Sequence, residues 1–185
     1  MPEGGAVTPV VLVTPRLHLR PLSAADAPVL AAYRADPAVA AFQGWTLPYT
    51  PQHAHALIAE MAGKQLGDAG WVQYGVSLPG GALVGDVALR THGAQAEFGV
   101  TLAPSAHGRG YATEAGAAVI AHAFGTLGLH RLHASIDPRN VPVARLLVRL
   151  GFRHEGTLVE AYEHRGAWTD DALYGLLRRE WASPD

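Results

Sequence analysis

Between residues 71 and 102 the side chains change to a two-residue period, in three runs over 71–78, 82–90 and 96–102. The links between them, Pro79-Gly80-Gly81 and the turn at His92-Gly93, are too short to cross over to a parallel strand. They predict an antiparallel meander. The third run does not end in another hairpin. It leads through Ala103-Pro104-Ser105-Ala106 into His107-Gly108-Arg109-Gly110-Tyr111-Ala112-Thr113-Glu114, a Gly-rich turn that opens a helix. This meander-to-turn-to-helix passage constrains the fold more than any other stretch.

Around it the periodicity fills in a single α+β domain over 1–185, with 1–12 expected as a flexible N-terminus. Residues 17–22 alternate like a first strand. Ser23 and Asp26 signal a helix start, and that helix runs to Asp36-Pro37. Thr50-Pro51 opens a second helix with Ala54, Leu57, Ile58 and Met61 on one face. After the Gly-rich turn come a helix over 113–127, a strand over 131–136 and a short helix over 143–150 closed by Gly151. A hairpin over 153–164 and 168–177 turns at Arg165-Gly166. The hydrophobic share of 49% over 185 residues is enough for one substantial core.

Charge and cysteine usage exclude several functions. With 14 Lys+Arg against 16 Asp+Glu, the net charge of −2 argues against nucleic-acid or membrane-surface binding. No charged leader or apolar stretch of spanning length is present, so the expected location is cytoplasmic. The absence of cysteine rules out a thiol nucleophile and a thiolate metal site. His53 and His55 would diverge on a helix, and His130 with His133 has no carboxylate at ligand spacing, so no metal is expected.

The Gly-rich turn is a candidate phosphate cradle. Gly108 and Gly110 permit positive φ, and the first N–H groups of a helix lack partners. A P-loop is excluded because no Lys follows Gly110. A dinucleotide fingerprint expects Gly or Ala where Thr113 stands, within a parallel βαβ unit. A helix start that uses glycine only to turn remains the plain alternative.

The run Gly108-Arg109-Gly110-Tyr111-Ala112-Thr113-Glu114-Ala115 resembles the acyl-CoA loop of the GNAT acetyltransferases. Residues 17–22, Asn140 with Leu146-Leu147 and Leu150-Gly151-Phe152, and the end from Tyr174 to Trp181 resemble the branch containing the ribosomal-protein N-terminal acetyltransferases. The resemblance extends from about residue 13 to 181. It implies a twisted mixed sheet splayed between its fourth and fifth strands, helices on both faces, and acetyl-CoA in the splay. Carried onto this chain, it places pyrophosphate against the N–H groups of His107, Gly108, Arg109, Gly110, Tyr111 and Ala112. Pantetheine would lie along Val100 and Leu102, with Asn140 near the thioester and Arg109 and Arg145 as phosphate partners. Two positions depart from the family: His107 replaces a usual Gln or Arg, and Val143 a common serine.

The chemistry follows from what is absent. Without a thiol or a G-x-S-x-G elbow, direct attack by an amine in a ternary complex is the simplest route. The oxyanion is expected on a backbone N–H near Val100 or Thr101. Glu97 is the first candidate base, and Tyr111 and Tyr162 are candidate proton donors. An α-amine is roughly 10–15% neutral at pH 7, whereas deprotonating lysine costs about 4.6 kcal/mol. An α-amine acceptor thus tolerates a weak or water-relayed base, and the resemblance implies a protein N-terminus as the expected acceptor. The alternatives are an amino acid, polyamine or aminoglycoside, a silent acyl-CoA-binding module, or an NAD(P)-binding oxidoreductase. The chain is expected as a monomer or homodimer.

Overall fold

The computed structural model describes residues 9–181. Eight strands form one sheet in the order β1-β2-β3-β4-β5-β6-β8-β7. They are β1 (Leu12–Val13), β2 (His18–Pro21), β3 (Gly70–Ser77), β4 (Leu83–His92), β5 (Gln95–Leu102), β6 (Arg131–Ile136), β7 (Arg153–His164) and β8 (Ala167–Leu177). Every neighbouring pair is antiparallel except β5 and β6. The meander is β3 to β5, as the short links require. Leu12 pairs with Leu19, so the first strand begins inside the stretch expected to be flexible; residues 1–8 lie outside the described residues.

The helices are α1 (Ala27–Ala35), α2 (Pro37–Ala40), α3 (Pro51–Met61), α4 (Tyr111–Ala121) and α5 (Val141–Arg149). Before α1 a tight turn over Ala24–Asp26 is fixed by Asp26, whose carboxylate accepts from the Ser23 N–H at 2.7 Å and pairs with Arg20 at 2.8 Å. Thr50 caps α3 by accepting from the His53 N–H. The helix expected over 113–127 begins two residues earlier and changes its winding at His122. There the Leu127 N–H reaches the His122 carbonyl at 3.0 Å, a wider turn that occupies His122–Thr126.

The sheet is covered on both faces. On one, Val87 and Leu89 of β4 pack with Val119 and Ile120 of α4 and Leu146 and Leu147 of α5. On the other, Leu30, Ala31 and Tyr33 of α1 pack with Ala54 and Ile58 of α3 over Leu22, Leu83 and Ala103. The two-residue period of β4 gives Asp86 to the α1 side, where it meets Arg34 and Tyr33.

β5 and β6 pair only over Gln95–Glu97 and Arg131–His133, then diverge. This is the expected splay. It falls between the fifth and sixth strands because the two-residue β1 precedes the four counted from the sequence.

Candidate active site at the splayed strands

The divergence of β5 and β6 opens a cleft of about 550 Å³. The alternation of hydrogen-bonded pairs along β4 and β5 decides what β5 offers to it. The Ala103 N–H donates to the Val84 carbonyl at 2.9 Å, so in this register Thr101, Gly99 and Glu97 also direct their backbone groups to β4. Val100 and Leu102 direct theirs to the opened edge. Of the two residues expected to hold an oxyanion, Val100 has its N–H on the splay and Thr101 does not.

Side chains alternate in the other sense. Phe98, Val100 and Leu102 share the α4 face, while Glu97 shares the α1 face with Asp86 and Arg90 of β4. The cleft joins these two surroundings. Phe98, Ala134, Ile136, Val143 and Leu147 make one wall apolar; Glu97, Ser135, Asp137 and Asp171 make the other polar.

Beyond the end of β5 the Gly-rich turn has the predicted form. Gly108 and Gly110 have φ of +71° and +79°. The His107 N–H is taken by the Pro104 carbonyl at 3.2 Å, so the free run starts one residue later than expected. From Gly108 to Thr113 the N–H groups have no acceptor among the described residues. They form a continuous cradle at the positive end of α4. The His107 ring folds back, its Nε2 3.0 Å from the Leu102 carbonyl.

Arg16, which sequence reasoning missed, braces this turn. Its Nη1 donates to the Arg109 carbonyl at 2.9 Å, and its Nη2 pairs with Glu114 of α4 at 2.5 Å. Its guanidinium lies 4.9 Å from the centre of the Tyr111 ring. Glu114 also accepts from Thr14 Oγ1 at 2.6 Å and from the Arg16 N–H at 2.9 Å. Burial pushes the Glu114 carboxyl up, but the hydrogen bonds from Thr14 and Arg16 outweigh it and hold the group below its ordinary value. Arg145 is exposed on α5, and Arg149, one turn on, reaches Thr113 Oγ1 at 3.4 Å.

Of the other expected residues, Glu97, Val100, Asn140 and Tyr162 line the cleft, whereas Tyr111 does not. Asn140 caps α5, its side chain accepting from the Val143 N–H at 3.4 Å. Glu97 is ion-paired with Arg90 at 2.6 Å. Asp137 pairs with Arg139 at 2.5 Å, and that hydrogen bond holds its carboxyl below the ordinary value.

The floor on the α1 side is a buried polar group. Arg34 donates to Asp86 at 2.9 Å, Tyr33 donates its hydroxyl to the same carboxylate, and Trp45 lies over the guanidinium at 4.5 Å. Burial opposes the Arg34 charge, but Asp86 prevails and keeps it protonated; burial and Asp86 together raise Tyr33 well above its ordinary value. One signal for this cluster was legible: Asp86 interrupts a strand that is otherwise apolar from Val84 to Leu89. Ser135 and Asp171, joined at 2.5 Å, carried no comparable signal.

A family model described as the acetyltransferase (GNAT) domain matches residues 16–153. The chain belongs to the GNAT acetyltransferase family. It is similar to N-acetyltransferase p20 of Bacillus licheniformis, itself uncharacterised, with 32% identity over 175 residues, 92% of this chain and 98% of that one. A GNAT acetyltransferase from Bacillus anthracis superposes with a TM-score of 0.82 at 25% identity, over 92% of this chain and all of the other. RimJ of Mycobacterium smegmatis, solved with CoA-disulfide, superposes with a TM-score of 0.76 at 27% identity, over 89% and 83% of the two chains. This GNAT protein is an acetyl-CoA-dependent N-acetyltransferase. The oxidoreductase alternative falls, and β5 supports the correction, since it enters the turn from an antiparallel meander.

Proposed function

We propose that the acceptor is the α-amine of a protein N-terminus, acetylated by direct attack on acetyl-CoA in a ternary complex. The pyrophosphate of CoA lies on the free N–H groups from Gly108 to Ala112, with Arg109 and Arg145 beside it. Pantetheine runs along the open edge at Val100 and Leu102 toward Asn140, extending β5 as a further strand would. The thioester oxygen takes the Val100 N–H as its donor.

One observation carries the choice of acceptor. Apart from His164, whose Nε2 is engaged with the Ala41 carbonyl at 3.0 Å, the proton-accepting side chains that line the cleft are carboxylates. A carboxylate does not deprotonate a lysine ammonium ahead of attack; the nucleophile has to arrive neutral. At pH 7 roughly 10–15% of an α-amine does so, against well under 1% of a lysine side chain. The departing thiol, with an intrinsic pKa of about 8.5, leaves as thiolate without an obligatory acid, which fits Val143 in place of the family serine. Tyr162, on the cleft wall, is the better placed of the two candidate donors; Tyr111 packs under Arg16.

Thiol release from acetyl-CoA at pH 7 tests this with three probes: a hexapeptide with a free N-terminus, the same peptide blocked at its N-terminus and carrying one lysine, and spermidine. The free N-terminus is expected to have a kcat/KM about two orders of magnitude above the lysine peptide. Equal rates, or a preference for spermidine, would overturn the reading.

A further inference from the structure

We propose that Asp171, positioned by Ser135, takes the proton from the acceptor nitrogen. This rests on the acyl oxygen being held at Val100. The cleft contains other carboxylates, but cations stand beside them: Arg34 is 2.9 Å from Asp86, Arg90 is 2.6 Å from Glu97, Arg139 is 2.5 Å from Asp137, and Lys64 is 3.6 Å from Glu60. Asp171 is different. Its recorded partner among the described residues is a hydroxyl, Ser135 Oγ at 2.5 Å on Oδ1, which leaves Oδ2 for another donor.

Its place follows from the register. β5 and β6 part after the Glu97–His133 pair, and two residues further on Ser135 stands across the gap from Gly99 and Val100. Ser135 shares the face of Glu97 and His133, away from α4. Leu173 of β8 pairs with Ser135, and Asp171 lies two residues along β8 on that same face. A carbonyl whose oxygen sits on the Val100 N–H is thus open to attack from the side where Asp171 stands.

The step balances without another reagent. The neutral amine forms the C–N bond, and the carbonyl electron pair moves onto the oxygen at Val100. The nitrogen, now cationic and strongly acidic, loses its proton to Asp171 Oδ2. The oxygen pair then re-forms C=O, the C–S bond breaks, and the CoA thiolate departs and takes a proton from solvent, to which Asp171 returns the one it accepted. Ser135 fixes the carboxylate, while Glu97 stays paired with Arg90 as part of the wall.

Asp171→Ala, Asp171→Asn and Glu97→Gln are compared by thiol release, using whichever of the free peptide, the lysine peptide or spermidine is turned over fastest by the unaltered protein. The Asp171 variants are expected to lose at least 10²-fold in kcat with acetyl-CoA Kd unchanged, and added formate restores at least 10-fold to Asp171→Ala. Glu97→Gln loses less than 10-fold. The proposal is overturned if Glu97→Gln is the more damaging, if either Asp171 variant keeps more than a tenth of kcat, or if formate restores nothing. Should Asp171→Ala fail to fold, the near-isosteric Asp171→Asn with intact CoA binding decides. The acceptor reading is judged separately, by which probe the unaltered protein prefers.

Discussion

The two ends of the splay are built from different materials. The proposed CoA end is backbone: a strand edge, two glycines at positive φ and a run of N–H groups at the start of α4. The proposed acceptor end is side chains drawn from distant parts of the chain, with Arg34 and Asp86 52 residues apart and His164 bound to Ala41 across 123. A backbone site depends on local dihedral angles and tolerates change in most of its side chains. A side-chain site depends on tertiary packing, and one lost partner leaves a buried charge behind. Substitutions in the buried floor of the acceptor end should therefore appear as folding defects, and those at the CoA end as binding defects.

The largest expected effect breaks the floor of the acceptor end. Arg34 and Asp86 have side chains only 4% and 3% exposed. Asp86→Ala leaves the guanidinium buried without its counter-charge, which costs about 3–5 kcal/mol. At roughly 2–4 °C per kcal/mol for this size, Tm should fall by about 6–20 °C in a thermal melt. Replacing both partners, Arg34→Met with Asp86→Leu, should cost less than Asp86→Ala alone, because no charge is stranded. A double variant that melts lower than the single one would mean the pair contributes more than mutual neutralisation.

The same contrast explains what the sequence made legible. Gly108 and Gly110, the Thr50-Pro51 cap and the short meander links act within a few residues, so residue types alone identify them. Glu97 was found because its strand leads into the Gly-rich turn, Asn140 through the family resemblance, and both line the cleft. Arg16 was invisible because its work lies 98 residues away, at Glu114. Asp171 stands next to Asp170 on the closing hairpin with no local signal of a role; only the register of β6 against β8 brings it to Ser135 and the mouth of the splay. The free run of the cradle beginning at Gly108 depended on a single hydrogen bond, from His107 to Pro104, which no spacing rule specifies.

At the CoA end the expected loss is smaller and of a different kind. An added Cβ at Gly110 would stand 3.3 Å from Arg16 Nη2 in a left-handed conformation that disfavours side chains by about 1–2 kcal/mol. Gly110→Ala should raise the KM for acetyl-CoA by roughly 5- to 30-fold with kcat nearly unchanged. Arg16→Gln removes the brace on the Arg109 carbonyl while leaving the turn its glycines, and its increase in KM should be the smaller. A fall in kcat at constant KM for either variant would break the separation between a backbone-built binding end and a side-chain-built reacting end.

The smallest effect contrasts a histidine beside the splay with one remote from it. Burial lowers His122, at the end of α4, although the Leu66 backbone opposes it; burial also lowers His133, beside the splay, against the attraction of Glu97. A histidine whose folded pKa lies below its unfolded value of about 6.5 contributes fully above that pH. As pH falls through 6.5 the unfolded chain takes up the proton first, and stability declines until the folded pKa is passed. Each group adds a slope of at most about 1.4 kcal/mol per pH unit. Denaturant melts between pH 7 and 5 should therefore show a gradual loss of stability that His122→Gln and His133→Gln each partly flatten. Because His133 shares its face with the charged pair of Glu97 and Arg90, its slope should change again in Glu97→Gln, while that of His122 should not. Equal responses of the two histidines to Glu97→Gln would mean that the Glu97 charge acts well beyond the splay, as far as the distal end of α4.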